Sequence, residues 1–176
     1  IRTVPTGHIS LIFHKGRQIF SSSTNEIQSK AFLCGHEKAF TDLVYSGLIN
    51  MICVVFRPLG AGIFFKMPMN EINGLQTDIH NLEDKNLIYL QESLYEADTN
   101  HQCAFLIEQF LLNKIGNPDL YNQKRILAAI KLINAGQYDM HVLAGASCLS
   151  PRQFNRVFTM SVGAKPTAFQ RIIRFQ

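Results

Sequence analysis

The chain has 176 residues, 47% of them hydrophobic, and Lys and Arg outnumber Asp and Glu 17 to 13 for a formal net charge of +4. That length supports one moderate core and a small second one. No apolar run approaches the roughly 18 residues that span a bilayer and no signal peptide is visible at the start, so a cytoplasmic protein with no membrane partner is expected. The cysteines, Cys34, Cys53, Cys103 and Cys148, are far apart and lack CxxC spacing. Cys53 and Cys103 stand on apolar faces, which reads as buried, reduced thiols.

In chain order the first signals are for strands. Ile9, Leu11 and Phe13 alternate with His8, Ser10, Ile12 and His14, Gly16 punctuates, and residues 17–23 follow, so the spacing predicts a hairpin. The Ser21-Ser22-Ser23 run reads as a solvated turn. Residues 30–35, 38–47 and 48–56 give further strand signals, and the last is so nearly continuous in apolar residues that burial on both faces is expected. Short, turn-separated strands of this kind suit a barrel or sandwich.

After Arg57-Pro58 the character changes. Residues 58–67 predict a short helix or turn packed on the sheet, and Pro68-Met69-Asn70-Glu71 starts another. Helical periodicity covers 84–97 and 102–115, where Cys103, Leu106, Ile107, Phe110 and Leu111 form a wide apolar face. Gly116-Asn117-Pro118-Asp119 reads as a linker. The expected organisation is an N-terminal domain over 1–118, β-barrel-like to 58 and helical from 59, followed by a helical unit over 119–176.

In that second unit Ile126, Leu127, Ile130 and Ile133 make one apolar stripe, and Gly136 stands where helices usually end. Asp139 caps a second helix that places Met140, Leu143 and Ala144 on one face. Ser150, Pro151 and Gln153 start a third by N-cap, N1 proline and capping box. There Phe154, Val157 and Phe158 form the apolar stripe and leave Arg152, Gln153, Asn155 and Arg156 outward. Arg pairs with guanine or phosphate, Asn and Gln pair with adenine, and no acid interrupts the set. Two helices joined through Cys148 and Leu149 make a helix-turn-helix.

Charge divides the chain in the same place. Residues 121–176 hold eight Lys or Arg against Asp139, a balance of +7, whereas residues 1–120 hold nine against twelve acids, a balance of −3. A basic helical unit is the electrostatic footprint of a partner for the phosphate backbone of double-stranded DNA. Two other readings compete with it. His8, His14 and His36 with Glu37 suggest a metal-dependent cupin-like enzyme; but no HxH pair is present, and histidines beside Gly or Lys at strand ends read as surface or turn residues. A helix-turn-helix can also serve as a protein-interaction module. No catalytic motif, phosphate loop or cofactor signature appears, so no enzyme activity, metal or cofactor is expected.

The ordered set Ala144, Cys148-Leu149-Ser150, Phe154, Arg156, Phe158, Gly163, Pro166, Phe169 and Arg174 resembles the first helix-turn-helix of the AraC/XylS family of transcription regulators. By that resemblance Arg152, Gln153, Asn155 and Arg156 are DNA contacts, and Pro166 opens a linker helix whose flank adds Lys165, Arg171 and Arg174. Cys148 departs from the family's usual turn glycine, and Lys165 from a small polar residue. The family's second helix-turn-helix is expected beyond Gln176, and further strands are expected upstream of Ile1. The whole chain resembles regulators of this family with a cupin-like N-terminal domain, which implies an α+β fold comprising an incomplete cupin-like β-barrel, a helical hairpin and an all-α reader. The resemblance further implies a small-molecule effector, a homodimer, or both.

Overall fold

The computed structural model describes residues 1–22, 24–115 and 120–175. The protein is α+β. Its strands are β1 (Arg2–Thr3), β2 (Ile9–His14), β3 (Phe20–Ser21), β4 (Glu26–Ile27), β5 (Ala31–Cys34), β6 (Thr41–Val44), β7 (Met51–Phe56) and β8 (Gln76–Asp78). They form two four-stranded antiparallel sheets, in the orders β1-β6-β3-β4 and β7-β2-β5-β8, rather than a closed barrel.

Strand β2 does not form a hairpin with the segment after Gly16. It lies between β5 and β7, with Leu11 opposite both Leu33 and Val54. β3 pairs instead with β4 and β6. The cause is burial: Ile9, Leu11 and Phe13 are almost wholly enclosed in a core that also contains Leu33 and Phe56, and each such side chain stabilises by roughly 1.5–3 kcal/mol. The paired order places three apolar strands side by side, which a local hairpin through the polar 17–23 segment does not do.

Three further expectations are corrected. β7 is an edge strand whose Met51, Cys53 and Val55 are exposed, Val55 to 58%, so its continuous apolar run does not mark burial on both faces. Cys53 is accordingly an exposed free thiol, whereas Cys103 is buried. Ser21 is completely buried, because its strand lies between β4 and β6, whereas Ser22 is an exposed turn residue as expected and Ser23 lies outside the described residues.

Helix α1 (Ala61–Phe64) and a 3-10 turn at Met69–Ile72 follow β7, and a second 3-10 turn spans Ile79–Leu82. α2 (Lys85–Glu96) starts at the Asp84 cap; α3 (Asn100–Lys114) starts at a capping box made by Thr99 and Gln102. Cys103 and Phe110 are buried in the same core as Leu11 and Leu33, with Leu106, Ile107 and Leu111 partly covered. The linker expected at 116–119 lies outside the described residues. No helix among the described residues is long and apolar enough to cross a membrane.

The second half holds α4 (Leu120–Asn134), α5 (Met140–Ala146), α6 (Pro151–Val162) and α7 (Pro166–Phe175). Its core contains Ile126, Ala129, Ile130, Ile133, Leu143, Phe154, Phe158 and Phe169. The α4 stripe therefore runs through Ala129 rather than Leu127, which is 43% exposed. The two cores meet where α6 packs on the Met69–Ile72 turn.

Candidate nucleic-acid interface

Local chemistry sets both ends of α6. Ser150 Oγ accepts the Gln153 N–H at 3.3 Å, and Gln153 Oε1 accepts the Ser150 N–H at 3.3 Å, with Pro151 at the first helical position. Gly163 closes the helix in the left-handed region at φ +92°, where glycine alone bears no Cβ penalty. Phe154, Phe158 and Val162 are buried, with the Phe158 ring 5.5 Å from Phe154 and 5.7 Å from Phe169. That face fixes the rotation of the helix, and Arg152, Gln153, Asn155 and Arg156 are all exposed on the others.

The turn before α6 is a Schellman motif. The Leu149 N–H donates to the Ala144 carbonyl at 3.0 Å and the Cys148 N–H to Gly145 at 2.9 Å. This places Cys148 at φ +50°, a left-handed conformation that costs a residue with a Cβ. Arg125 locks the motif from α4: its Nε donates to the Ser147 carbonyl at 2.7 Å and its guanidinium also donates to the Cys148 carbonyl, while Ser147 Oγ donates to the Arg125 carbonyl at 3.1 Å. Arg125 thus belongs to the frame, although it counts toward the basic balance. Only the unpaired carbonyls at the end of α5 hint at this role, and they name no partner in sequence.

The expected contact residues separate into groups. Arg152, Gln153, Asn155, Arg156 and Lys165 line one recess beside α6. Gln153 also spends its carbonyl on the capping box, which leaves its NH2 outward. Arg171 and Arg174 are exposed on α7, where the Arg174 guanidinium stacks 5.6 Å from the Tyr138 ring centroid. Asn70, from the first half, also lines the recess that holds Arg152 and Lys165, and Lys66, from the same half, lines a second one that shares Arg156 and Met160 with it.

Two of the three histidines are buried rather than at the surface: His14, at the end of β2, and His36, in the loop after β5, are each 3% exposed, whereas His8 is half-buried. His14 Nε2 donates to Gln28 Oε1 at 3.2 Å, and Gln28 Nε2 donates to Gln76 Oε1 at 3.2 Å, giving a polar chain across β2 and β8. His36 Nε2 donates to the Val162 carbonyl at 2.6 Å, reaching from the first half to the end of α6. Burial lowers the pKa of both imidazoles, and hydrogen bonds to Gln28 and Val162 oppose the shift. Burial likewise pushes the Cys34 thiol up to about 12. Among the described residues no three His, Cys, Asp or Glu side chains converge as metal ligands.

A family model described as a domain of unknown function (DUF6597) matches residues 1–78, under half of the chain. No curated protein matches the chain. Among solved structures the chain is similar to ToxT from Vibrio cholerae O395, crystallised with (E)-4-(8-methylnaphthalen-1-yl)but-3-enoic acid, at 12% identity and a TM-score of 0.33 over 97% of this chain and 92% of that one. The matched family domain ends before α6, so the reading of the basic helical half rests on that half's own geometry.

Proposed function

We propose that this protein is a sequence-specific DNA-binding transcription regulator of the AraC type. The observation that carries the reading is the exposed face of α6: four side chains able to contact bases or phosphates, no acid, and a rotation fixed by Phe154, Phe158 and Val162. α6 enters the major groove, Arg152 reads a base edge, and Arg156, Lys165, Arg171 and Arg174 hold the phosphate backbone. The first half, a cupin-like unit whose two sheets stay open, binds a small effector, dimerises, or does both in the cytoplasm.

Selection of bound duplexes from a randomised pool tests this. The wild type is expected to enrich a short motif. Arg152→Ala should relax one or two positions, each bidentate contact being worth about 1–3 kcal/mol of discrimination, and Arg156→Ala should weaken all sequences alike. A pool that emerges unenriched would refute the reading.

A further inference from the structure

An α-helix about 10–12 Å across nearly fills a major groove about 12 Å wide. Whatever packs beside a groove-bound helix therefore meets a phosphate wall. In this protein the first half packs there: His36 holds the Val162 carbonyl, and a Cβ on Gly163 would lie 3.0 Å from the Met69 carbonyl oxygen. Two open recesses of about 700 and 640 Å³ flank α6 along this seam. One joins Lys66 and Pro68 to Arg156 and Met160; the other joins Asn70 to Arg152, Asn155, Arg156 and Lys165.

Among the described residues no acid lines either recess. Glu71, next to Asn70 in the 3-10 turn, is exposed and lies outside both. Lys66 is exposed and has no ion-pair partner among the described residues, whereas Lys114 in the first recess is tied to Asp84. The seam thus continues the positive face of α6 onto a half whose own formal balance is negative.

We propose that the DNA footprint extends onto the first half, with Lys66 neutralising a phosphate and Asn70 donating its amide to the phosphate or sugar of the strand that runs beside α6. This rests on the DNA-binding reading above. It adds that the first half is itself a part of the DNA-contacting surface, and that its seating on α6 leaves the groove accessible.

Fluorescence anisotropy with a mixed-sequence duplex of about 30 base pairs, titrated at several salt concentrations, tests the idea. Lys66→Ala should weaken binding several-fold and flatten the slope of log affinity against log salt by about 0.9, the value of one phosphate contact. Asn70→Ala should weaken binding without changing the slope. Lys85→Ala, on α2, should match the wild type. All three positions are exposed, and an unchanged circular dichroism melt shows that the fold is intact. If Arg156→Ala binds weakly while Lys66→Ala and Asn70→Ala bind as wild type, this inference fails and the DNA-binding reading stands. Tighter binding by Lys66→Ala or Asn70→Ala overturns it too, since that is the mark of a groove blocked by the first half. A wild type that binds no duplex removes both.

Discussion

Gly163 and Gly136 offer a matched pair for measuring how firmly the first half holds α6. Both adopt the left-handed conformation, at φ +92° and +84°. An added Cβ at Gly136 meets nothing within 4 Å, whereas at Gly163 it meets the Met69 carbonyl oxygen at 3.0 Å, His36 Cδ2 at 3.1 Å and Met69 Cβ at 3.2 Å. Gly136→Ala should therefore cost only the left-handed penalty, roughly 1–2 kcal/mol, less a few tenths regained from the stiffer unfolded chain. Gly163→Ala carries the same penalty plus overpacking against backbone, about 1–3 kcal/mol more. Thermal unfolding followed by circular dichroism reads the difference, since each kcal/mol moves the midpoint by roughly 2–4 °C in a protein of this size. The expected result is a clearly lower midpoint for Gly163→Ala than for Gly136→Ala. Equal midpoints would mean that the seam between the halves yields freely, and the reasoning about its tightness would be wrong.

Cys148→Gly should act in the opposite direction, raising stability by about 0.5–1 kcal/mol by relieving the left-handed Cys at the turn without touching the exposed face of α6; a denaturant midpoint below wild type would contradict it. Stability should also fall with pH on the acid side of neutrality. His14 and His36 have folded pKa values below their ordinary 6.5, so as pH drops through about 6.5 the unfolded chain takes up protons that the folded protein resists. Glu37, whose pKa is raised by burial, works the other way, but nearer the carboxylate range. Urea titrations between pH 7.5 and about 5.5 should show the decline, and a His36→Gln variant should show less of it than wild type; parallel curves would refute the assignment.

What could be seen in sequence was whatever a short stretch decides for itself. The start of α6 follows from Ser150, Pro151 and Gln153 alone, and the cap of α5 from Asp139. The exposed set Arg152, Gln153, Asn155 and Arg156 follows from a 3.6-residue period. What escaped was set by distant partners. The pairing of β2 with β5 and β7 depends on which apolar strands share a core, and the burial of His14 and His36 depends on Gln28 and Val162, at separations of 14 and 126 residues. The exposed face of β7 was hidden by its own composition, because an apolar run says nothing about whether another element covers it. Lys66 and Asn70 join the margin of α6 only through the packing of the Met69–Ile72 turn, which no local pattern announces.

The hydrogen bond from His36 to the Val162 carbonyl has a mechanical consequence. The turn that leads into α6 is held by Arg125 from within the second half, whereas the last carbonyl of α6 is held by a residue of the first half. A rod pinned at two points on different bodies pivots about one pin when the other body shifts. With Phe154 and Phe158 holding α6 in the core of its own half, a shift around His36 or Met69 would act on its far end, as a tilt of its axis rather than a sideways move.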